Sequence, residues 1–149
     1  MVRVSREIEI DAPPEEVWRY IEDPAKELQW RRPEVKELET LGQGPIGEGT
    51  RYRGRTKIMG MTDNYVNEVV EFDPPNRIAW RYVNSSGMMA ANGHYQLMPI
   101  GDGRTRFKLV LEYHPMGFVG RLTEPFMSLL AGPVLQRFAE NLKQMAEGD

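Results

Sequence analysis

The middle of the chain alternates between apolar and polar residues. The clearest run is 50–58, where positions 51, 53, 55 and 57 are all basic and the positions between them carry no charge. A period of two is typical of a β-strand whose two faces meet different surroundings. Similar runs continue to Tyr113. The pattern therefore predicts a sheet with one apolar face and one charged face.

The rest of the chain adds two strands, two short helices and a long final helix. Proline followed by acidic residues predicts the first short helix, and apolar residues at steps of three or four predict the last helix. Because Pro125 and Pro133 each remove a backbone donor from that last helix, we expect its first half to be irregular. The predicted order is a strand over 2–10, helices over 14–22 and 25–29, a strand over 34–41, five strands between 50 and 113, and a helix over 117–146.

Composition narrows the classes of function. With 149 residues, 40% of them apolar and 28% charged, the chain suits one soluble globular domain without a membrane span. Its net charge of -3 argues against a nucleic-acid partner. It has no cysteine and two histidines, so we expect no metal site and no cofactor. The start of the chain lacks the apolar core of a signal peptide, which favours a cytoplasmic location.

Several short motifs resemble those of one family. They are IDAPPEEVW at 10–18, Trp30, GEGT at 47–50, EFDPP at 71–75 and GDGRT at 101–105. Together with the order of elements, they closely resemble the polyketide cyclase/dehydrase branch of the START-like superfamily. The resemblance implies an α+β helix-grip fold, in which a seven-stranded antiparallel sheet curls around the C-terminal helix and encloses a cavity. The family includes lipid and hormone carriers as well as polyketide cyclases, so the fold alone does not choose a function.

Strand phase predicts which side chains line that cavity. In the run 50–58 the even positions face inward, because four basic groups would not occupy the closed side. Aromatic walls suit flat ligands but also fill cores, so Trp30 and Trp80 admit both interpretations. The predicted ligand-binding set is Trp30, Tyr52, Thr56, Asn64, Trp80, Tyr82, Met89, Ala91, Tyr95, Phe126 and Leu130.

The strand over 62–72 admits two phases. One phase points the even positions inward, including Asn64 and Glu68, and the other points the odd positions inward, including Tyr65. The even phase is the more apolar, and we take it. A β-bulge would switch the phase partway along the strand.

Methionines concentrate in the turns at one end of the predicted sheet. In an antiparallel meander successive turns alternate between ends, so the turns near 60, 87 and 116 meet. Methionine is flexible and tolerates ligands of varied shape, which favours a pocket mouth there. The alternative is that the same side chains seal the end of the core. The predicted mouth consists of Met59, Met61, Met88, Met116 and Phe118.

Three functions stay open. The preferred one is the binding or transport of a hydrophobic or aromatic small molecule, similar to a lipid or a polyketide. The alternative is a polyketide cyclase or dehydratase that uses a pocket glutamate or tyrosine as acid or base, with Glu68, Tyr82 and His114 as candidates. The third is a protein-partner module that uses the charged face, although the solvated side of a sheet explains that face more simply.

Overall fold

The computed structural model describes residues 2–58, 60–85, 89–115 and 117–148, without the side chains of Met89, Ala90 and Ser128. The described residues form the predicted order of elements, which confirms the α+β helix-grip prediction. The strands are β1 (Val2–Ile10), β2 (Val35–Leu41), β3 (Arg51–Ile58), β4 (Met61–Asp73), β5 (Arg77–Ser85), β6 (Met89–Pro99) and β7 (Thr105–Pro115), and the helices are α1 (Pro14–Trp18), α2 (Pro24–Trp30) and α3 (Gly117–Gly148).

All seven strands belong to one antiparallel sheet in the order β1-β7-β6-β5-β4-β3-β2. β2 to β7 follow one another as a meander, and β1 pairs with β7 so that Ile10 lies opposite Thr105. The contacts of α3 are mainly with β1, and smaller numbers are with β7 and α2. The helix therefore rests on one side of the curled sheet, which leaves space in front of β3, β4 and β5.

The apolar core lies between the sheet, α2 and the second half of α3. Trp30 is fully buried, and its ring centroid lies 5.4 Å from that of Tyr95 and 6.2 Å from that of Phe107. The second half of α3 contributes buried residues at steps of one to four, as an amphipathic helix must. These residues are Leu135, Phe138, Ala139, Leu142 and Ala146.

The first half of α3 differs from the second, because it leaves several large apolar side chains exposed. Phe118 and Leu129 each keep 76% of their accessible surface. The helix is continuous from 117 to 148, so the expected irregularity is not seen. Pro125 and Pro133 both lie on the exposed side, where the carbonyls that lose a donor can bond to water. No helix within the described residues has the length and hydropathy that crossing a membrane requires.

The short helices begin and end where local hydrogen bonds dictate. α1 ends at Trp18, and single turns continue the chain to Glu22. α2 begins at Pro24 because the side chain of Asp23 accepts a hydrogen bond of 3.0 Å from the backbone N–H of Ala25. Both helices thus start close to their predicted positions.

The predicted inward phase is confirmed for β3 and wrong for most of β4. Tyr52 and Gly54 are buried, and the arginines between and beside them, Arg51, Arg53 and Arg55, are exposed. In β4, however, Asn64 is exposed and Val69 is 1% exposed, so the odd positions face inward. A bulge between residues 69 and 71 then switches the phase, and residue 72 returns to the interior. The apolar residues beyond the bulge made the even phase look more apolar for the whole strand.

Candidate ligand-binding cavity

A cavity of about 110 Å³ lies between the concave face of β3 to β7 and the first half of α3. One water molecule needs ~10–15 Å³ on the same scale, so the cavity has room for a small organic molecule. Most of its wall is apolar or aromatic. The lining residues are Ile58, Met61, Trp80, Tyr82, Ala91, Leu111, Tyr113 and Met127, together with the more polar Arg31, Thr56, Thr62, Asp63, Tyr65, Asn67, Ser85 and Thr123.

A second depression of about 420 Å³ lies along the glycine-rich loop that follows β2. It is larger, but its lining is mostly polar and contains no aromatic side chain. Ligand sites are lined mainly by apolar and aromatic side chains with a few polar groups. The cavity under α3 is therefore the candidate site.

Two glycines let aromatic rings lie flat on the cavity wall. Gly54 pairs with Tyr65 across β3 and β4, and a Cβ at Gly54 would lie 2.5 Å from that ring. Gly93 pairs with Trp80 across β5 and β6, and a Cβ there would lie 2.6 Å from the indole. Both rings cover bare backbone, so their positions are set by the sheet itself.

Arg31, the residue after α2, brings a buried positive charge to the cavity. Its Nη1 donates to Oε2 of Glu27 over 3.1 Å, and the hydroxyl of Tyr95 donates to the same oxygen over 2.7 Å. The guanidinium also lies 5.4 Å from the ring centroid of Phe138. The side chain of Arg31 is 14% exposed and that of Glu27 is 11% exposed. The two form an ion pair that is almost closed off from solvent.

The surroundings of Arg31 keep it charged. Burial by itself opposes the charge, but the fields of Tyr95 and Glu27 outweigh burial and raise the pKa of Arg31. An arginine that cannot lose its proton is a donor only. Arg31 is thus a fixed donor at this end of the cavity.

The neighbouring tyrosines stay neutral. Burial raises the pKa of Tyr65, and it raises the pKa of Tyr113 to about 12. The hydroxyl of Tyr65 accepts a hydrogen bond of 3.1 Å from Thr56, which leaves its own proton free to be donated. Both phenols can therefore donate to a bound oxygen atom.

The opposite end of the cavity is acidic. Asp63 lines it and accepts a hydrogen bond of 2.6 Å from the hydroxyl of Ser85. Asp63 lies at the start of β4, close to the turn that precedes it, whereas Arg31 adjoins the core. The cavity thus has the Arg31–Glu27 ion pair at its inner end, which adjoins the core, and the Asp63 carboxylate near the start of β4.

The predicted ligand-binding residues separate into three groups. Thr56, Trp80, Tyr82 and Ala91 line the cavity, and their role in binding stays a prediction. Six others do not line the cavity. Of these, Trp30, Tyr52 and Tyr95 pack in the core, Asn64 and Phe126 are exposed, and Leu130 is half-buried. The side chain of Met89 lies outside the described part of the structure.

The predicted mouth is described only in part. Met61 lines the cavity, and Phe118 stands exposed at the start of α3. Met59, Met88 and Met116 lie outside the described residues. The mouth therefore stays a prediction.

Of the three catalytic candidates, Glu68 is placed where it cannot act on a cavity ligand. It lies on the outer face, where its two oxygens bond to Arg51 over 3.2 Å and to Arg81 over 3.0 Å. Hydrogen bonds from Arg81 and Arg51 lower its pKa, which is the opposite of what a general base with a raised pKa needs. The prediction that Glu68 faces the interior was wrong.

The other two candidates lie close together but differ in access. Tyr82 lines the cavity. His114 does not, and its Nε2 lies 3.3 Å from Nδ2 of Asn92, whose Oδ1 accepts from the backbone N–H of Tyr82. His114 therefore helps to join β5 to β6 and β7 where the direct pairing of β5 with β6 has ended.

The basic row on β3 is ion-paired on the outer face. Arg53 bonds to Glu39 and Arg55 bonds to Glu37 on the neighbouring β2, and Arg51 bonds to Glu68. These pairs explain the row as the solvated side of the sheet. Among the described residues, no three His, Cys, Asp or Glu side chains cluster where they could hold a metal ion.

Sequence reasoning missed Arg31, Asp63, Asn67 and Met127. Asp63 and Asn67 were missed because the predicted phase of β4 pointed both side chains away from the cavity. The one available signal for Arg31 was its position four residues after Glu27 at the end of a short helix, a spacing that brings opposite charges together. That signal indicates an ion pair but not that the pair faces a cavity.

Comparisons with known proteins agree with this geometry. The family profile described as "Polyketide cyclase / dehydrase and lipid transport" matches residues 1–147. Similar solved structures include a Thermus thermophilus protein with 26% identity and a TM-score of 0.79, over 97% of this chain and 96% of that one. A search of curated proteins gave no significant match.

Two further structures share the fold. The Zhui aromatase/cyclase of a Streptomyces species has 16% identity and a TM-score of 0.80, over 97% of this chain and 93% of that one. A START superfamily protein of Mycobacterium smegmatis has 20% identity and a TM-score of 0.77, over 98% of this chain and 97% of that one. Because the profile spans nearly all of the sequence, the chain belongs to the polyketide cyclase/dehydrase and lipid transport family.

Proposed function

We propose that this protein binds or carries a hydrophobic or aromatic small molecule in the cavity under α3. The observation that carries the proposal is a concave cavity whose wall includes the rings of Tyr65, Trp80, Tyr82 and Tyr113. Ligand sites are typically concave and apolar with a few placed polar groups. The lack of cysteine fits a reducing compartment such as the cytoplasm.

The position of the rings supports a flat ligand rather than a branched one. Trp80 and Tyr65 lie against glycines on neighbouring strands, so each ring sits close to the sheet and leaves the cavity in front of it open. In the adjacent core the rings of Trp80 and Tyr95 meet edge to face with centroids 4.8 Å apart, which leaves no space for a ligand between them. A planar molecule can pack against the two cavity rings.

The test is binding of a planar aromatic probe, acetylnaphthalene, measured by equilibrium dialysis. Ala91 lines the cavity, so Ala91→Phe should fill it and lower the affinity for the probe at least about tenfold. Val83 is 40% exposed and does not line the cavity. Val83→Phe is therefore the matched control and should leave the affinity unchanged.

Two results would count against the proposal. One is wild-type protein that does not take up the probe at all. The other is an equal loss of affinity in both phenylalanine variants, since binding would then not involve the cavity. Native mass spectrometry of the purified protein would further reveal any small molecule that leaves with it.

A second candidate function is dehydration or cyclisation of a keto compound, with a cavity tyrosine as acid. It is favoured by the placement of Tyr65 and Tyr113, because both protonated phenols line the cavity together with Arg31. The substrate would be a poly-β-keto thioester long enough to close a six-membered ring. An intramolecular aldol step forms a carbon–carbon bond and turns one ketone into an alcohol, and the hydroxyl of that alcohol then leaves as water, a loss of mass that mass spectrometry would follow. If Tyr113→Phe binds the substrate but no longer releases water, an enzyme is indicated. If wild-type protein binds the thioester unchanged, the carrier is indicated.

A further inference from the structure

The inner end of the cavity carries donors that nothing in the fold uses. Within the described residues, the one hydrogen bond of the Arg31 guanidinium runs from Nη1 to Glu27, and Nε is buried without a partner. Guanidinium nitrogens can only donate. Because Arg31 lines the cavity, a bound molecule is the available acceptor for its remaining N–H groups.

Two phenols stand beside this guanidinium. Tyr65 and Tyr113 also line the cavity, and both interact electrostatically with Arg31. The Tyr65 hydroxyl already accepts from Thr56, so its remaining hydrogen-bonding need is for an acceptor. The hydroxyl of Tyr113 has no hydrogen-bond partner among the described residues. The inner end is therefore a cluster of donors.

The charges around this cluster disfavour an anion. Only Arg31 and Asp63 are charged among the lining residues, and Glu27 already neutralises Arg31. Asp63 lies two residues before Tyr65 on the same face of β4, about 7 Å along the strand. Because Glu27 already balances Arg31, a ligand carboxylate would bring into the cavity a negative charge that no lining cation is left to balance.

We infer that the inner end selects a neutral acceptor oxygen, the carbonyl of an aryl ketone or quinone, and that Arg31 is the residue that determines this specificity. The inference rests on the proposed function, since it names the class of molecule that the same cavity takes. The aromatic body of such a ligand lies against Trp80, and its oxygen lies toward Arg31 and Tyr113.

The test uses three probes of nearly equal shape, each measured by equilibrium dialysis. Acetylnaphthalene carries the carbonyl, isopropenylnaphthalene replaces its oxygen by a CH₂ group, and naphthoate carries a charge. The quantity compared between proteins is the ratio of ketone affinity to hydrocarbon affinity, because the greater hydrophobicity of the hydrocarbon cancels in that comparison.

Three variants are compared with the wild type. Glu27→Gln/Arg31→Met removes both charges, so it leaves no buried unpaired ion, and should lower the ratio about tenfold, the effect of one hydrogen bond to a charged donor. Tyr113→Phe keeps the ring and the ion pair and should lower the ratio by a smaller factor. Arg32→Met changes the exposed neighbouring arginine and should not alter it.

The outcomes separate the inference from the proposed function. A ratio that stays the same in both Glu27→Gln/Arg31→Met and Tyr113→Phe overturns the inference, and so does tighter binding of naphthoate than of the ketone by the wild type. In either case continued binding of the hydrocarbon leaves the proposed function intact. Failure of all three probes to bind the wild type overturns both. Tyr113→Phe decides the question if the double variant does not fold.

Discussion

Removal of Arg31 alone should destabilise the protein far more than removal of Arg31 together with Glu27. Both side chains are close to fully buried and are joined at 3.1 Å. Arg31→Met leaves the Glu27 carboxylate buried with the Tyr95 hydroxyl as its remaining partner. Breaking a buried pair in this way lowers the free energy of unfolding by about 3–5 kcal/mol, whereas replacing both charges leaves it nearly unchanged.

The magnitude for the double variant follows from the groups that remain. In Glu27→Gln/Arg31→Met the amide oxygen still accepts from Tyr95, and the amide nitrogen is a new buried donor without a partner, at a cost of about 1–2 kcal/mol. The coupling energy between the two sites should therefore be about 2 kcal/mol or more. Urea unfolding of the wild type, both single variants and the double variant gives this value directly.

A surface pair provides the control for that cycle. Arg55 and Glu37 lie 3.2 Å apart, but their side chains are 44% and 63% exposed. Their coupling energy should fall between about 0 and 1 kcal/mol, since solvent screens the pair. If the coupling of Arg31 with Glu27 were no larger than this, the ion pair would be solvated, and the view of Arg31 as an enclosed donor would be refuted.

Three further predictions concern the stability of the fold. Gly93→Ala should lower the free energy of unfolding by about 1–3 kcal/mol, because its Cβ would meet other atoms at 2.6 to 2.7 Å. Gly47→Ala should be near neutral in the same urea assay, because a Cβ there would meet nothing within 4 Å. Leu135→Ala, at a position 0% exposed, should cost about 2–5 kcal/mol, and equal stability of Leu135→Ala and Leu129→Ala would contradict the placement of the core. Burial raises the pKa of Tyr113 from 10 to about 12, so the folded state keeps a proton that the unfolded state releases. The urea midpoint should fall between pH 10 and pH 12 and fall less steeply in Tyr113→Phe.

The sequence predicts strand phase well where the ladder is regular and poorly where it is not. β3 pairs with β4 without a shift, and its alternation reads directly as inside and outside. β4 gains an extra residue between Val69 and Glu71 in its pairing with β5. A bulge of one residue reverses the face of everything on one side of it. Because nothing local marks Val70 as the bulged residue, the phase of the strand could not be predicted from alternation alone.

The predicted inward face of α3 was wrong for a related reason. Phe126 was expected to face the cavity, but it is 64% exposed, and the adjacent Met127 lines the cavity instead. Neighbouring helical residues point about 100° apart, so a small error in the position of the helix moves the contact to the next residue. The rotation of α3 is set by contacts with β1 that are distant in sequence. Periodicity within the helix does not contain that information.

The direction of Arg31 is a consequence of the residue before it. Trp30 is fixed in the core at both ends of the residue, since its indole N–H donates to the carbonyl of Tyr20 over 2.9 Å and its own carbonyl accepts from Asn141 over 3.2 Å. With Trp30 held in this way at the end of α2, the next side chain projects away from the core centre and meets Glu27 one turn back. The same aromatic residue that the sequence suggests for ligand contact therefore acts indirectly, because it orients the cation that lines the cavity. This division of roles explains why a search for aromatic pocket residues finds Trp30 and passes over Arg31.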